Sequence, residues 1–171
     1  MKSLQFFLMI FYSLYSGFVN SEGLKLDHVI VVVNDIKQAA KTYQTAGFTI
    51  KPGRLHKNGL LNAHIKFPNH TELELMSING NPTDSMTRDY SEFLESGEGG
   101  AFVALTGPSI EVATELLKSL EIEHDVIRGH FWDYIVFPKG SNLEHFFFIK
   151  MHNVYPQESW VYEHKNGASR I

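Results

Sequence analysis

The sequence contains no cysteine in 171 residues. That excludes disulfide staples and the lipid-bearing cysteine of a bacterial lipoprotein, so an exported form is held by its core alone. Clustered positive charge is also missing: 15 Lys and Arg face 19 Asp and Glu, a net of −4. Neutralising a phosphate backbone needs such clusters, so nucleic acid is excluded as the main partner. The long apolar run, Leu4 to Val19, falls short of the ~20 residues of a membrane span. It is uncharged, follows Lys2 and ends in small polar residues, the layout of a signal peptide over residues 1–21. Val19 and Ser21 then stand at the minus-three and minus-one positions of a cut before Glu22. A signal anchor is the alternative, supported by Tyr12, Tyr15 and Phe18 close to the run's end. Cleavage leaves 14 basic against 19 acidic residues, a net of −5. It also leaves no stable membrane anchor, and a secreted or periplasmic location.

What remains has an ordinary globular composition, 43% hydrophobic and 20% charged, enough to bury one core over residues 22–153. Its centre is Leu24 to Asp35, LKLDHVIVVVND. Five β-branched residues, Val29 to Val33, predict a strand buried on both faces. Asp35 is placed to cap a following helix. His28 opens the apolar run; the competing reading of such a residue is a satisfied core or rim histidine.

Asp35 to Gly47 puts Ile36, Ala39, Ala40, Tyr43 and Ala46 on one helical face. Short strands are expected at 48–50, 59–67 and 70–78, with a turn at Pro52-Gly53. In the last of these Glu72, Glu74 and Met76 share a face. Residues 79–100 read as an exposed connector with a short helix near Tyr90 to Leu94. A strand at 101–105, a helix at 109–120 and strands at 125–127, 131–137 and 143–149 follow. A shift of 74 residues lays Ile36 on Ile110, Ala39 on Ala113 and Tyr43 on Leu117. The chain is therefore read as a duplicated βαβββ unit, modules 24–78 and 100–150, of α+β class.

The residues LDHVIVVVND, the stretch G-x-x-H-x-x-G-x-x-N-A from Gly53 to Ala63, and LEL at Leu73 to Leu75 resemble the vicinal oxygen chelate superfamily, in its glyoxalase-like branch. The resemblance implies two paired βαβββ modules whose sheets form a cupped cleft, with metal ligands on the first and last strand of each. It assigns His28 and Glu74 as ligands of a divalent metal (Zn, Mn, Fe or Ni), although Glu72 shares the face of Glu74. Under the 74-residue shift the second-module positions are Phe102 and Phe148, which cannot coordinate. Glu144 and His145 substitute only if the register slips. His56 and Asn62 are catalytic candidates, since Gly59 lets the chain carry an imidazole and an amide toward one ligand. Their plain alternatives are a solvated loop histidine and a turn asparagine. The rings Phe102, Phe131, Trp132, Tyr134 and Phe146 to Phe148 lie on second-module strands, and Phe102, Trp132 and Phe148 are the substrate-wall candidates. About half of these rings are expected to fill core instead. His64, His70, His124, His130, His152 and His164 read as surface or packing residues. Residues 154–171 read as a C-terminal extension, HKNGASRI resembling a linker toward a further module in longer relatives.

Two functions follow. One is a metal-dependent lyase, isomerase or dioxygenase acting on a small carbonyl or hydroxyl compound, with His56 handling a proton. The other is a metal-free small-molecule binding protein of bleomycin-resistance type. A homodimer is compatible with either.

Overall fold

A computed structural model describes residues 23–153 and 156–171; the expected signal segment lies outside them. Strand β1 (Lys25–Val32) leads to α1 (Ile36–Thr45), then β2 (Lys51–Leu55), β3 (Leu60–Lys66) and β4 (Glu72–Ile78). Helix α2 (Ser85–Glu95) connects to the second unit: β5 (Gly99–Thr106), α3 (Ile110–Ser119), β6 (Asp125–Arg128), β7 (Trp132–Val136) and β8 (Phe146–Met151). The strands form one mixed eight-stranded sheet in the order β2-β3-β4-β1-β5-β8-β7-β6. Each unit pairs its first and last strands in parallel, and the units join through the antiparallel pair β1–β5. This is the expected α+β architecture of two paired βαβββ modules, related end to end by a twofold pattern.

Local chemistry sets the helix starts. The Asp35 carboxylate accepts from the amides of Lys37 at 2.8 Å and Gln38 at 3.1 Å, satisfying donors that have no intrahelical partner. Ser109 caps α3 in the same way. Asp84 and Thr87 form a reciprocal capping box on α2, which lengthens that helix beyond the short one expected near Tyr90. A second correction concerns Pro52-Gly53: it lies inside β2, and residues 48–50 form no strand. Pro52 pairs with Ala63 on an edge strand that bulges before Leu55, where a missing N–H costs no ladder bond.

The two faces of the sheet carry different chemistry. On one face Val33, Ala63 and Leu75 pack under α1 with Ile36, while Ile135 packs under α3 with Ile110 and Leu117. On the other, Ile30, Val32, Leu60 and Met76 pack with Tyr90 of α2. Each fully buried aliphatic among them stabilises the fold by about 1.5–3 kcal/mol. The C-terminal residues return to the first module. Val161, in a 3₁₀ turn, is buried, and His164 lies edge-on to Phe48 and Phe67. The amide of Thr49 donates to its Nδ1 at 3.0 Å, and its Nε2 meets the Lys66 carbonyl at 3.0 Å. The stretch that resembles a linker is thus a strap across α1, β2 and β3.

Register decides which second-module residues reach the site. The helices keep the 74-residue spacing, but Val29 pairs with Leu73 while Val103 pairs with Phe146, not Phe147. A one-residue slip in a strand exchanges its faces. Consequently Phe147, not Phe148, is the counterpart of Glu74.

Candidate functional site

His28 and Glu74 share a sheet face, as expected, and their Nε2 and Oε2 atoms are 3.5 Å apart. His28 is only 7% exposed, so it is a buried residue and not a rim one. Its Nδ1 meets the Asp27 carboxylate at 2.6 Å. Burial opposes the charge on His28, but the Asp27 hydrogen bond and the charges of Glu74, Asp27 and Glu72 outweigh it and raise its pKa above the ordinary histidine value.

Asn62 completes the group, donating from Nδ2 to Glu74 Oε1 at 2.8 Å. Its own Oδ1 accepts from the Arg54 amide at 2.8 Å. That docking depends on Gly53, where a Cβ would stand 2.1 Å from Asn62 Oδ1 and 2.3 Å from its carbonyl oxygen. Alongside runs a second polar row, in which Glu72 binds His64 Nδ1 at 3.0 Å and the Lys66 ammonium. Burial resists ionisation of Glu72, yet the His64 hydrogen bond and the charges of His64 and Lys66 lower its pKa to about 2.

The opposite half of the face is aromatic. Phe147 lies edge-on to His28, centroids 5.6 Å apart, and 6.0 Å from Tyr134. Tyr134 is 6.3 Å from Trp132, which is followed by the exposed Phe131 at 5.8 Å. Phe102 packs against Tyr90 of α2 at 5.1 Å. Burial, with the charge of Glu74 adding to it, pushes the phenols of Tyr90 and Tyr134 well above the ordinary range.

The structure therefore brings together His28, Glu74, Asn62, Phe102 and Trp132 on one face. It does not bring in Phe148, which packs on the helix side against Ile135, Ile110 and Leu117 because of the β8 slip. His56 sits in the turn after β2, its amide donating to the Leu60 carbonyl at 2.7 Å. Its Nε2 is buried with no hydrogen-bond partner among the described residues, and no hydrogen bond there links it to Glu74 or His28. Asp27, Tyr90 and Ala104 were missed in the sequence, and Phe147 was named there among the second-module rings while Phe148 was taken as the wall candidate. Tyr90 carried a faint signal, an apolar i, i+3, i+4 stripe with Phe93 and Leu94, but nothing that said which face it covers.

A chelated metal does not fit these residues. Catalytic zinc typically keeps about three protein donors; here His28 and Glu74 supply two, and the positions that the repeat relates to them hold Phe102 and Phe147, which cannot coordinate. Among the described residues no group of three His, Cys, Asp or Glu is placed to hold an ion. Glu144 and His145 do not substitute: the slip brings Phe147, not either of them, opposite Glu74. His145 remains largely exposed beside Glu144.

Fold and site together define a protein of the vicinal oxygen chelate class. The family model of the Glyoxalase-like domain matches residues 26–171, and the chain belongs to that family. No curated protein sequence matches. Among solved structures, the chain is similar to a hypothetical protein from Bacillus halodurans C-125, with TM-score 0.64 and 17% identity over 80% of this chain and 100% of the other. It is also similar to methylmalonyl-CoA epimerase from Mycobacterium tuberculosis, with TM-score 0.59 and 20% identity over 75% and 88% of the two chains. The Streptomyces coelicolor methylmalonyl-CoA epimerase, in complex with 2-nitronate-propionyl-CoA, gives TM-score 0.56 and 14% identity over 75% and 98%. At these identities the likeness establishes the fold.

Proposed function

We propose that this chain is a small-molecule binding protein whose cup works without a chelated metal. One observation carries the reading: the positions related by the module repeat to His28 and Glu74 hold Phe102 and Phe147, which turn half of a ligand shell into an apolar wall. The polar half then fixes a ligand's hydrogen-bonding group at Glu74, while the rings enclose its body. Calorimetric titration of purified protein with Zn²⁺, Mn²⁺, Fe²⁺ and Ni²⁺ tests this. Weak or absent uptake is expected, and stoichiometric binding at micromolar concentration would overturn it.

One feature favours a second reading, metal-free proton transfer: Asp27, His28 and Glu74 stand in file, an imidazole between two carboxylates. A ligand recovered from D₂O carrying deuterium on carbon would move the assignment there. Export is part of the proposal, supported by Lys2 and the Leu4 to Val19 run; N-terminal sequencing of secreted protein should begin near Glu22.

A further inference from the structure

We infer that the end of the sheet where β1 begins is a lipid-facing surface, on which Ile127, Phe131, Trp132 and Met151 dip into the interface of a bilayer. The cup ligand has no part in this contact, so it stands apart from the small-molecule reading.

Strand direction gathers these side chains. β5 runs antiparallel to β1 and β8 parallel to β5, so Lys25 pairs with Thr106 and Leu105 with Phe148. Met151, the last residue of β8, therefore lies at the end where β1 starts, opposite Trp132, the first of β7. Side-chain contacts tie that end together: the Lys150 ammonium donates to the Gly107 carbonyl at 3.0 Å, and a Cβ on Gly107 would stand 3.3 Å from Leu24 Cδ2. The turn between β6 and β7 closes the corner, the His152 amide donating to the Phe131 carbonyl at 3.0 Å. Ile127, opposite Tyr134, shares the face of Trp132 and Met151.

Exposure sets this corner apart. Ile127 is 48% exposed, Phe131 46% and Met151 44%. The rings of His130, Phe131 and Trp132 follow one another with centroids 4.6 and 5.8 Å apart. Side chains left in water forgo the gain of burial, and rings with a polar edge, such as His130 and Trp132, suit a boundary that is wet on one side and apolar on the other. The acids of the corner, Glu111 and Asp133, are both bound by Arg128.

A bilayer, and not a protein, is indicated by the chain that precedes β1. The apolar run Leu4 to Val19 ends six residues before Lys25, a reach of about 20 Å at full extension. Whenever that run lies in a membrane, before cleavage or lastingly as an anchor, this end of the sheet is held against the same membrane. Trp132 stands on the third strand from β1, about 15 Å across the sheet, so the tether and the apolar corner meet one surface. After cleavage near Glu22 the corner's own side chains keep a reversible contact.

The test uses the mature chain, which holds every strand of the sheet, and phosphatidylcholine vesicles with and without brominated acyl chains. A Trp160→Phe background leaves Trp132 as the only tryptophan. The protein should sediment with vesicles and stay bound in about 1 M salt, because an apolar contact is not screened. Trp132 emission should shift to the blue, and brominated lipid should quench it. Phe131→Ser should weaken partitioning about tenfold, and Phe131→Ser with Met151→Gln about a hundredfold. Leu55→Gln should change nothing, since Leu55, 55% exposed, lies at the opposite end of the sheet. Thermal melts confirm that each variant is folded. Absence of sedimentation and quenching, or an equal loss from Leu55→Gln, would overturn the inference. So would a dimer in the ultracentrifuge that Phe131→Ser dissociates, since the corner would then face a second copy of the chain.

Discussion

Phe147 meets His28 edge to face, rings inclined at 68°, from the sheet position that the module repeat relates to Glu74. The relationship can be reversed by substitution. Phe102→His combined with Phe147→Glu should raise Zn²⁺ affinity by about a hundredfold, because four donors then converge. Calorimetry on the double variant and the parent checks this; equal affinity would show that the aromatic replacements do not decide metal binding.

Gly53 should tolerate no side chain. In Gly53→Ala the added carbon meets both the amide and the backbone of Asn62, so strand β2 must shift. A loss of about 2–3 kcal/mol is expected, read by chemical denaturation. The Asn62 side-chain NMR resonances should move as its bond to Glu74 loosens.

Neighbouring phenylalanines should separate stability from binding. Phe148→Ala removes a ring from the helix-side core and should destabilise the chain by about 2–4 kcal/mol. Phe147→Ala should cost less stability and weaken ligand binding by about 1 kcal/mol or more. Paired denaturation and fluorescence titrations give both values, and a reversed order would contradict the β8 register.

Stability should peak in mildly acidic solution. Glu72 titrates lower in the folded chain than in the unfolded one, so its contribution is present above pH ~4.5 and is lost as pH falls toward 2. His28 titrates higher than its ordinary value, so its contribution is complete below pH ~6.5 and is lost as pH rises through the folded value. Unfolding free energies should therefore fall on both sides of about pH 4.5–6.5. Glu72→Gln should flatten the acid limb and His28→Asn the alkaline one.

His164 anchors the strap through both ring nitrogens. His164→Ala should destabilise the first module by about 2 kcal/mol, and hydrogen exchange at Thr49 should accelerate. Unchanged exchange at Thr49 would show that the strap is held elsewhere.

Much of this was legible in the sequence, for stated reasons. The 74-residue spacing holds for both helices, Ile36–Thr45 and Ile110–Ser119, because amphipathic periodicity is set by burial. His28, Glu74 and Asn62 share a face because strands alternate with period two. The pattern failed where it had nothing to read: Phe146, Phe147 and Phe148 are apolar in every phase, so a slip of one residue leaves no trace. Pro52-Gly53 was read as a turn because edge placement depends on strand order, which is a tertiary property. Tyr90 belongs to the site only because α2 folds back over the sheet.

The run of three phenylalanines has one more consequence. Residues 138–145, between β7 and β8, set which of the three faces the ligand. A gain of one residue there would put Phe146 in the place of Phe147 and Phe147 in the place of Phe148, still presenting a benzene ring to His28 and another to Ile135. In most strands such a change would turn the interior outward. Here both surfaces stay aromatic, so this loop can gain one residue without emptying either face of the sheet.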